Sequence, residues 1–152
     1  MYNSQVDGTL LGNQGNKSTK SQMTKLKFQI NPNDQNSKPV YDLEERTFQF
    51  AKAVRLFVKT LAKTIANIED GKQLIKASGS VGANYIEANE SLGKKDFSMR
   101  IKISRKEAKE SAYWLRLIHE TNKLKNADEV LRLMQEANEL KKIFSSILEK
   151  SK

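Results

Sequence analysis

Two polar stripes, carried by adjacent segments of the chain, contain the side chains best suited to chemistry. Ser80, Asn84 and Glu87 recur at intervals of four and three residues, which places them on one face of a helix. Glu107 and Glu110 repeat that spacing in the next segment. A carboxylate pair one turn apart is suited to holding an arginine or lysine, or to binding a divalent cation. The same five side chains are equally suited to an interhelical hydrogen-bonded network that fixes helix register.

Several classes of catalytic and metal site are missing from the sequence. It has no cysteine, which excludes thiol catalysis and thiolate zinc sites, and His119 is its one histidine. The Glu-x-x-His pairs of di-iron bundles do not occur. Gly79-Ser80-Val81-Gly82 lacks the lysine of a phosphate-binding loop. We therefore predict no enzymatic activity, no cofactor and no metal site, with a small enzyme or metal protein using Glu87, Glu107 and Glu110 as an alternative.

The charge balance favours a polyanionic partner. The net charge is +9 and the isoelectric point about 9.7, which is typical of proteins that bind RNA or DNA. Basic charge that only confers solubility is the alternative interpretation. The cations concentrated in the first half of the third helical segment are the candidate nucleic-acid-binding residues: Lys94, Lys95, Arg100, Lys102, Arg105, Lys106 and Lys109.

Composition divides the chain into a tail and a body. Residues 1–40 are rich in Asn, Gln, Ser, Gly and Lys and contain both prolines, so they have too little apolar surface to offset the entropy of ordering. Residues 26–30 alternate apolar and polar side chains, as in a short extended segment. We predict a disordered tail over residues 1–40, a helical domain over residues 41–152, and no secretory signal or membrane span, as in a cytoplasmic protein.

The body is predicted to be an all-α, up-down-up-down antiparallel four-helix bundle. Apolar residues recur at helical spacing over about residues 42–66, 71–91, 95–122 and from 126 onward. The three connections are short, so successive helices should be antiparallel neighbours.

Local signals mark the ends of these helices and one close approach between them. Asp42, Asp70 and Asn126 are each followed three residues later by Glu or Gln, which predicts capping boxes. Gly93 is the expected left-handed cap of the second helix. Two glycines inside that helix, at positions 79 and 82, indicate that a neighbouring helix packs closely there.

Several large apolar side chains fall outside the predicted core stripes. A monomer that exposed all of them would carry a large apolar patch, which soluble monomers seldom keep. A wide core stripe is the alternative. The candidate oligomer contacts are Phe48, Leu56, Ile103, Trp114 and Leu117.

Three segments of the chain resemble a bacterial protein family. Residues 78–88 (Ser-Gly-Ser-Val-Gly-Ala-Asn-Tyr-Ile-Glu-Ala), residues 104–115 and the Asp42-Leu43 pair are similar, in order and spacing, to the proteins encoded in intervening sequences of 23S rRNA genes. The resemblance covers about residues 41–148. It implies a four-helix bundle that assembles as a homopentamer and has no enzymatic activity. It also implies kinship with the accessory variability protein of diversity-generating retroelements, a basic pentamer that binds nucleic acid and a reverse transcriptase.

Charge, missing catalytic groups and the resemblance together favour a non-enzymatic oligomeric protein that binds RNA or DNA, or that serves as a reverse-transcriptase accessory protein. A protein-interaction scaffold without a nucleic-acid role is the competing hypothesis.

Overall fold

The computed structural model describes residues 42–152, which form four α-helices and contain no strand. Helix α1 spans Leu43–Val58, α2 spans Ile65–Asn89, α3 spans Lys94–Thr121 and α4 spans Ala127–Lys150. The predicted all-α bundle is confirmed. The predicted disordered tail, residues 1–40, and the extended segment at residues 26–30 lie outside the described residues.

Within one chain the helices form a bundle in which helices that follow one another in sequence also pack against one another. Helix α3 lies between α2 and α4 and packs against both. Helix α1 contacts α2 through Thr47 and Gly82, and it contacts α4 through a two-pronged ion pair from Arg46 to Glu136, with N–O distances of 2.7 and 3.0 Å. Each helix therefore buries one stripe against two partners and leaves its opposite face to solvent.

The core of α3 is built from small side chains flanked by larger ones. Phe97, at the start of its apolar stripe, is half-buried, and the six residues that follow it at helical spacing are buried: Ile101, Ser104, Ala108, Ser111, Leu115 and Ile118. The buried Ser104 hydroxyl donates a hydrogen bond of 2.9 Å to the backbone carbonyl of Val81 on α2. This bond satisfies a polar group that would otherwise be costly to bury. The close contact between α2 and α3 follows from the small size of these residues.

The α1–α2 connection differs from the sequence prediction. Helix α1 ends at Val58, whereas the apolar spacing predicted a helix to about residue 66, and Ile65 is 85% exposed instead of lying in the core. The N-cap of α2 is Thr64, which has extended backbone and accepts from the amide of Asn67 at 3.1 Å. The predicted capping box at Asp70 is wrong, because a hydroxyl six residues earlier already accepts from the first turn.

A pair of side-chain amides holds the end of α3 against the start of α2. The amide of Asn67 donates to the carbonyl oxygen of Asn122 at 2.9 Å, and that of Asn122 donates back at the same distance. Asn67 also donates to the backbone carbonyl of Ala62, at 2.9 Å. Asn67 is only 4% exposed, so these bonds satisfy a buried group and join α2, α3 and the α1–α2 connection.

Gly93 has a different role from the one predicted. Its φ is −146° and its ψ is 161°, so it is extended, and it forms the N-cap of α3. The C-cap of α2 is Glu90, with φ −97° and ψ 5°. No glycine within residues 42–152 has a positive φ. The predicted left-handed cap is therefore wrong, because α2 ends at Asn89, four residues before Gly93, and the glycine is the N-cap of the next helix.

Helices α1 and α2 approach closely at Gly82. A Cβ atom placed there would lie 2.8 Å from Thr47 Oγ1. Thr47 cannot easily withdraw, because it is 1% exposed and its hydroxyl is bonded to the Glu44 carbonyl. A Cβ at Gly79 would instead meet the guanidinium end of Arg55, at 3.1 Å. The predicted close packing is therefore strict at Gly82 and relaxed at Gly79, where a flexible side chain can move.

These two glycines provide a matched pair of substitutions. Gly82→Ala should destabilise the bundle, since overpacking costs about 1–3 kcal/mol and exceeds the ~1 kcal/mol that alanine gains in helix propensity. Gly79→Ala should leave stability unchanged or raise it by up to about 1 kcal/mol. Thermal unfolding followed by circular dichroism measures both. A higher melting temperature for Gly82→Ala than for Gly79→Ala would contradict the close approach.

Candidate nucleic-acid interface

Positive charge is concentrated along the outer side of α3, where it meets α4. Four cations of α3 and one of α4 line a shallow surface groove of about 420 Å³, here called the basic groove. No acidic residue lines it. Its lining residues are Lys102, Arg105, Lys106, Lys109, Lys141 and Ser145.

The rotation of α3 aims these cations outward. Lys102, Lys106 and Lys109 follow one another at spacings of four and three residues, so they form one row along the helix. This row lies on the side of α3 opposite the buried stripe that contains Ser104 and Ala108. Helix α4 then brings Lys141 alongside the row. Three of the four α3 cations in the basic groove are lysines, which are exposed and free to adjust to a ligand.

Ion pairing leaves most of this charge uncompensated. Lys106 lies 3.9 Å from Glu110, a weak contact between exposed groups. Lys102, Arg105, Lys109 and Lys141 form no ion pair with any residue in the 42–152 range. The basic groove therefore carries a local excess of positive charge suited to an anionic ligand.

A second groove continues this surface toward the start of α3. It shares Lys102 and Lys106 with the basic groove and adds Lys94 and Lys95. Its lining also includes Asp96 and Met99, and Met99 is 48% exposed. Six of the seven predicted cations thus line one continuous face: Lys94, Lys95, Lys102, Arg105, Lys106 and Lys109.

Arg100, the seventh predicted cation, faces a different helix. Its Nη1 donates to Asn84 Oδ1 on α2, at 3.2 Å. Lys102 lies two positions further along α3, which corresponds to a rotation of about 200° around the helix axis. Arg100 is therefore outside the basic groove, and it is the partner that α3 provides for Asn84.

The predicted polar network is only partly assembled. Asn84 donates to the backbone carbonyl of Ser80, at 2.9 Å, and accepts from Arg100. Glu87 is exposed. Among the described residues, no hydrogen bond joins Asn84 or Glu87 to Glu107 or Glu110. An arginine, and not a carboxylate, therefore completes the interhelical contact of Asn84.

Glu107 and Glu110 are neighbouring carboxylates one turn apart on α3. Partial burial and the neighbouring carboxylate of Glu110 raise the pKa of Glu107, while Lys106 and Lys76 oppose that rise. Within residues 42–152 no group of three acidic, histidine or cysteine side chains is placed to hold a metal ion.

The candidate oligomer contacts divide into two sets. Phe48 and Leu56, on the outer side of α1, are 59% and 53% exposed. Ile103, Trp114 and Leu117, on α3, are half-buried. The residues of α1 are thus the stronger candidates for a contact with a further molecule, because they expose more apolar surface.

Lys141 is the groove cation that the sequence did not predict, and Ser145, also on α4, is the other unpredicted lining residue. Lys141 belongs to a Lys141-Lys142 pair in α4, and Lys142 lies 3.5 Å from Glu139 on the same helix. The available signal was the antiparallel pairing of α3 with α4, which sets the middle of one against the middle of the other. The helix register needed to use that signal is not visible in one sequence.

Comparison with known proteins agrees with the resemblance noted above. Residues 41–146 match the family model described as 23S rRNA-intervening sequence protein. The chain belongs to this family. A crystal structure at 1.70 Å of a protein with unknown function from the S23 ribosomal protein family of Bacteroides thetaiotaomicron superposes with a TM-score of 0.62 and 25% identity. The match covers 70% of this chain and 97% of that one.

No curated protein matches the chain. None of the helices in residues 42–152 combines the length and the apolar character that crossing a membrane requires.

The raised pKa of Glu107 predicts a pH-dependent effect of its substitution. The folded state holds the Glu107 proton more tightly than the unfolded state does, so this group's contribution to stability falls as pH rises from about 4.5 through the folded pKa. Glutamine does not titrate, so Glu107→Gln removes that loss. The free energy of unfolding of this variant, minus that of the parent protein, should therefore increase as pH rises through the folded pKa and should keep its higher value at pH 7. Thermal unfolding between pH 4 and 8 measures the trend.

The control is Glu87→Gln, the same chemical change at an exposed position of α2. A Glu107→Gln protein that loses stability relative to the parent as pH rises would contradict the assignment.

Proposed function

We propose that this protein is a non-enzymatic, oligomeric nucleic-acid-binding protein of the cytoplasm and that the basic groove contacts the phosphate backbone. The observation that carries the proposal is the convergence of Lys102, Arg105, Lys109 and Lys141 without an ion-pair partner in residues 42–152. Phosphate contacts by lysine and arginine supply most of the sequence-independent affinity for nucleic acid.

The form of the groove supports phosphate binding over recognition of a small ligand. It is shallow, and its cations are flexible side chains on two helices, with none of the convergent buried polar groups of a specific pocket. Such a surface suits a repeating polyanion, which presents many equivalent charges. Family membership is consistent with a partner related to ribosomal RNA or to a reverse transcriptase, and the protein-interaction scaffold remains the competing function.

Charge reversal in the basic groove tests the proposal. Lys102→Glu with Arg105→Glu should weaken binding to RNA and DNA at least tenfold and flatten the dependence of log affinity on log salt, because each lost phosphate contact lowers the slope by about 0.9 for duplex DNA. Filter binding across a salt series measures both quantities.

The matched control is Lys52→Glu with Lys59→Glu. These exposed lysines lie on α1 or just after it, and their reversal changes the net charge by the same amount. An equal loss of affinity in both double variants would mean that net charge alone, and not the groove, accounts for the effect. Unchanged affinity and slope in the groove variant would favour the scaffold.

We further propose that the protein is a homo-oligomer, with a pentameric ring as the form implied by the family resemblance. Support comes from Phe48 and Leu56, which remain more than half exposed on one face of α1. A closed ring multiplies the number of basic grooves, and multivalent contact strengthens binding to a long polyanion.

Light scattering at tens of micromolar should give a solution mass several times the 17.3 kDa of one chain. Phe48→Ser with Leu56→Ser should lower that mass without loss of helicity, because both side chains lie outside the core. A strict monomer would contradict the proposed assembly. Nucleic-acid binding is tested separately, by the Lys102→Glu, Arg105→Glu variant.

A further inference from the structure

Tyr113 is an exposed aromatic side chain next to the basic groove that neither the sequence analysis nor the proposed function uses. It is 57% exposed and lies four residues beyond Lys109 on α3. That spacing places Tyr113 one helical turn from the last groove cation of α3, on the same side of the helix. The distance along the helix axis from Lys102 to Tyr113 is about 17 Å.

The Tyr113 ring is supported from one side. Its centroid lies 5.0 Å from that of Trp114, and the two ring planes meet at 77°, an edge-to-face arrangement. Such a contact is favourable in itself and occupies at most one face of the tyrosine ring. Trp114 is itself half-buried and supports the exposed ring through this contact. A ring that is supported on one side and open on the other is suited to stacking against another planar group.

Two acidic side chains of α3, one before and one after Tyr113, each lie close to a cation. Glu110 lies near Lys106, at 3.9 Å. Glu120 is paired with Arg116, with an N–O distance of 3.0 Å. Both carboxylates thus have a cationic neighbour on α3, although the contact of Glu110 with Lys106 is weak. Lys109, the groove cation one helical turn before Tyr113, has no ion-pair partner in the described part of the chain and can contact a phosphate beside the ring.

We propose that Tyr113 is a stacking platform for an unpaired base, so that the groove prefers single-stranded nucleic acid to duplex. The inference rests on the proposed function and specifies its ligand. A positively charged groove that follows the backbone, combined with an aromatic ring on which a base stacks, is the recurring design of single-strand binding surfaces. The phosphates of a short strand lie along Lys102 to Lys109, and the next base reaches the Tyr113 ring. In a duplex the bases are stacked on one another, so their faces are not available to the ring.

Binding of a short poly-uridine strand of about 12 nucleotides to the full-length protein tests this inference. Tyr113→Ala and Tyr113→Leu should each weaken binding roughly tenfold, since stacking of one base contributes about a factor of 5 to 150. The slope of log affinity against log salt should not change, because no phosphate contact is lost. Tyr113→Phe keeps the planar ring and should bind as the parent protein does.

A duplex RNA of equal length and the matching thymidine strand complete the experiment. Tyr113→Ala should leave duplex affinity unchanged and weaken thymidine binding as it weakens uridine binding, because a stacking ring does not require the 2′-hydroxyl. Fluorescence of Trp114, the one tryptophan of the chain, should change when single strands bind and should change less with duplex.

The outcomes separate this inference from the function on which it rests. If Tyr113→Ala and Tyr113→Leu bind single strands as tightly as the parent while the Lys102→Glu, Arg105→Glu protein binds weakly, the stacking role is wrong and the groove stands. An equal loss for duplex and single strand in Tyr113→Ala also overturns the stacking role. If the groove variant retains full affinity, the proposed function itself fails.

Discussion

The placement of α3 between α2 and α4 is the constraint on which the rest of the molecule depends. Its buried stripe narrows to Ser104, Ala108 and Ser111 in the middle of the helix, and the Ser104 hydroxyl bonds to the Val81 carbonyl of α2 at 2.9 Å. Small side chains allow a close approach, and a buried hydrogen bond is costly to break, so together they fix the rotation of α3 about its axis. Because the lysine row that ends at Lys109 lies opposite the buried stripe, this rotation directs the row toward solvent.

Helix α3 carries both paired and unpaired charges on its surface. Several acids lie near a cation on the same helix, as Glu110 lies near Lys106 and Glu120 near Arg116. Exposed pairs of this kind contribute little to stability. They place a cation beside both of these carboxylates. Burial raises the pKa of Glu107, on the α2-facing side. Glu107 and the unpaired cations of the groove thus lie on different sides of the same helix.

Family membership explains the fold better than it explains the work that the protein does. The related crystal structure belongs to a protein with unknown function, and folds of this kind support many unrelated activities. The functional argument therefore depends on particular side chains. The basic groove, its cations without partners and the Tyr113 ring are all on α3 or at its contact with α4, and the proposed strand would follow that single helix.

The sequence by itself determined the helical class, the family and most of the buried stripe of every helix, because apolar periodicity and short motifs are local properties. It also identified six of the seven cations that line the grooves, since they share one helix. Tertiary structure decided the rest. Arg100 turned to Asn84, Lys141 arrived from α4, and Thr64 instead of Asp70 capped α2. Each of these depends on which residues of two different segments come together, and helix rotation and register are set by packing across the whole core and not by spacing along one helix.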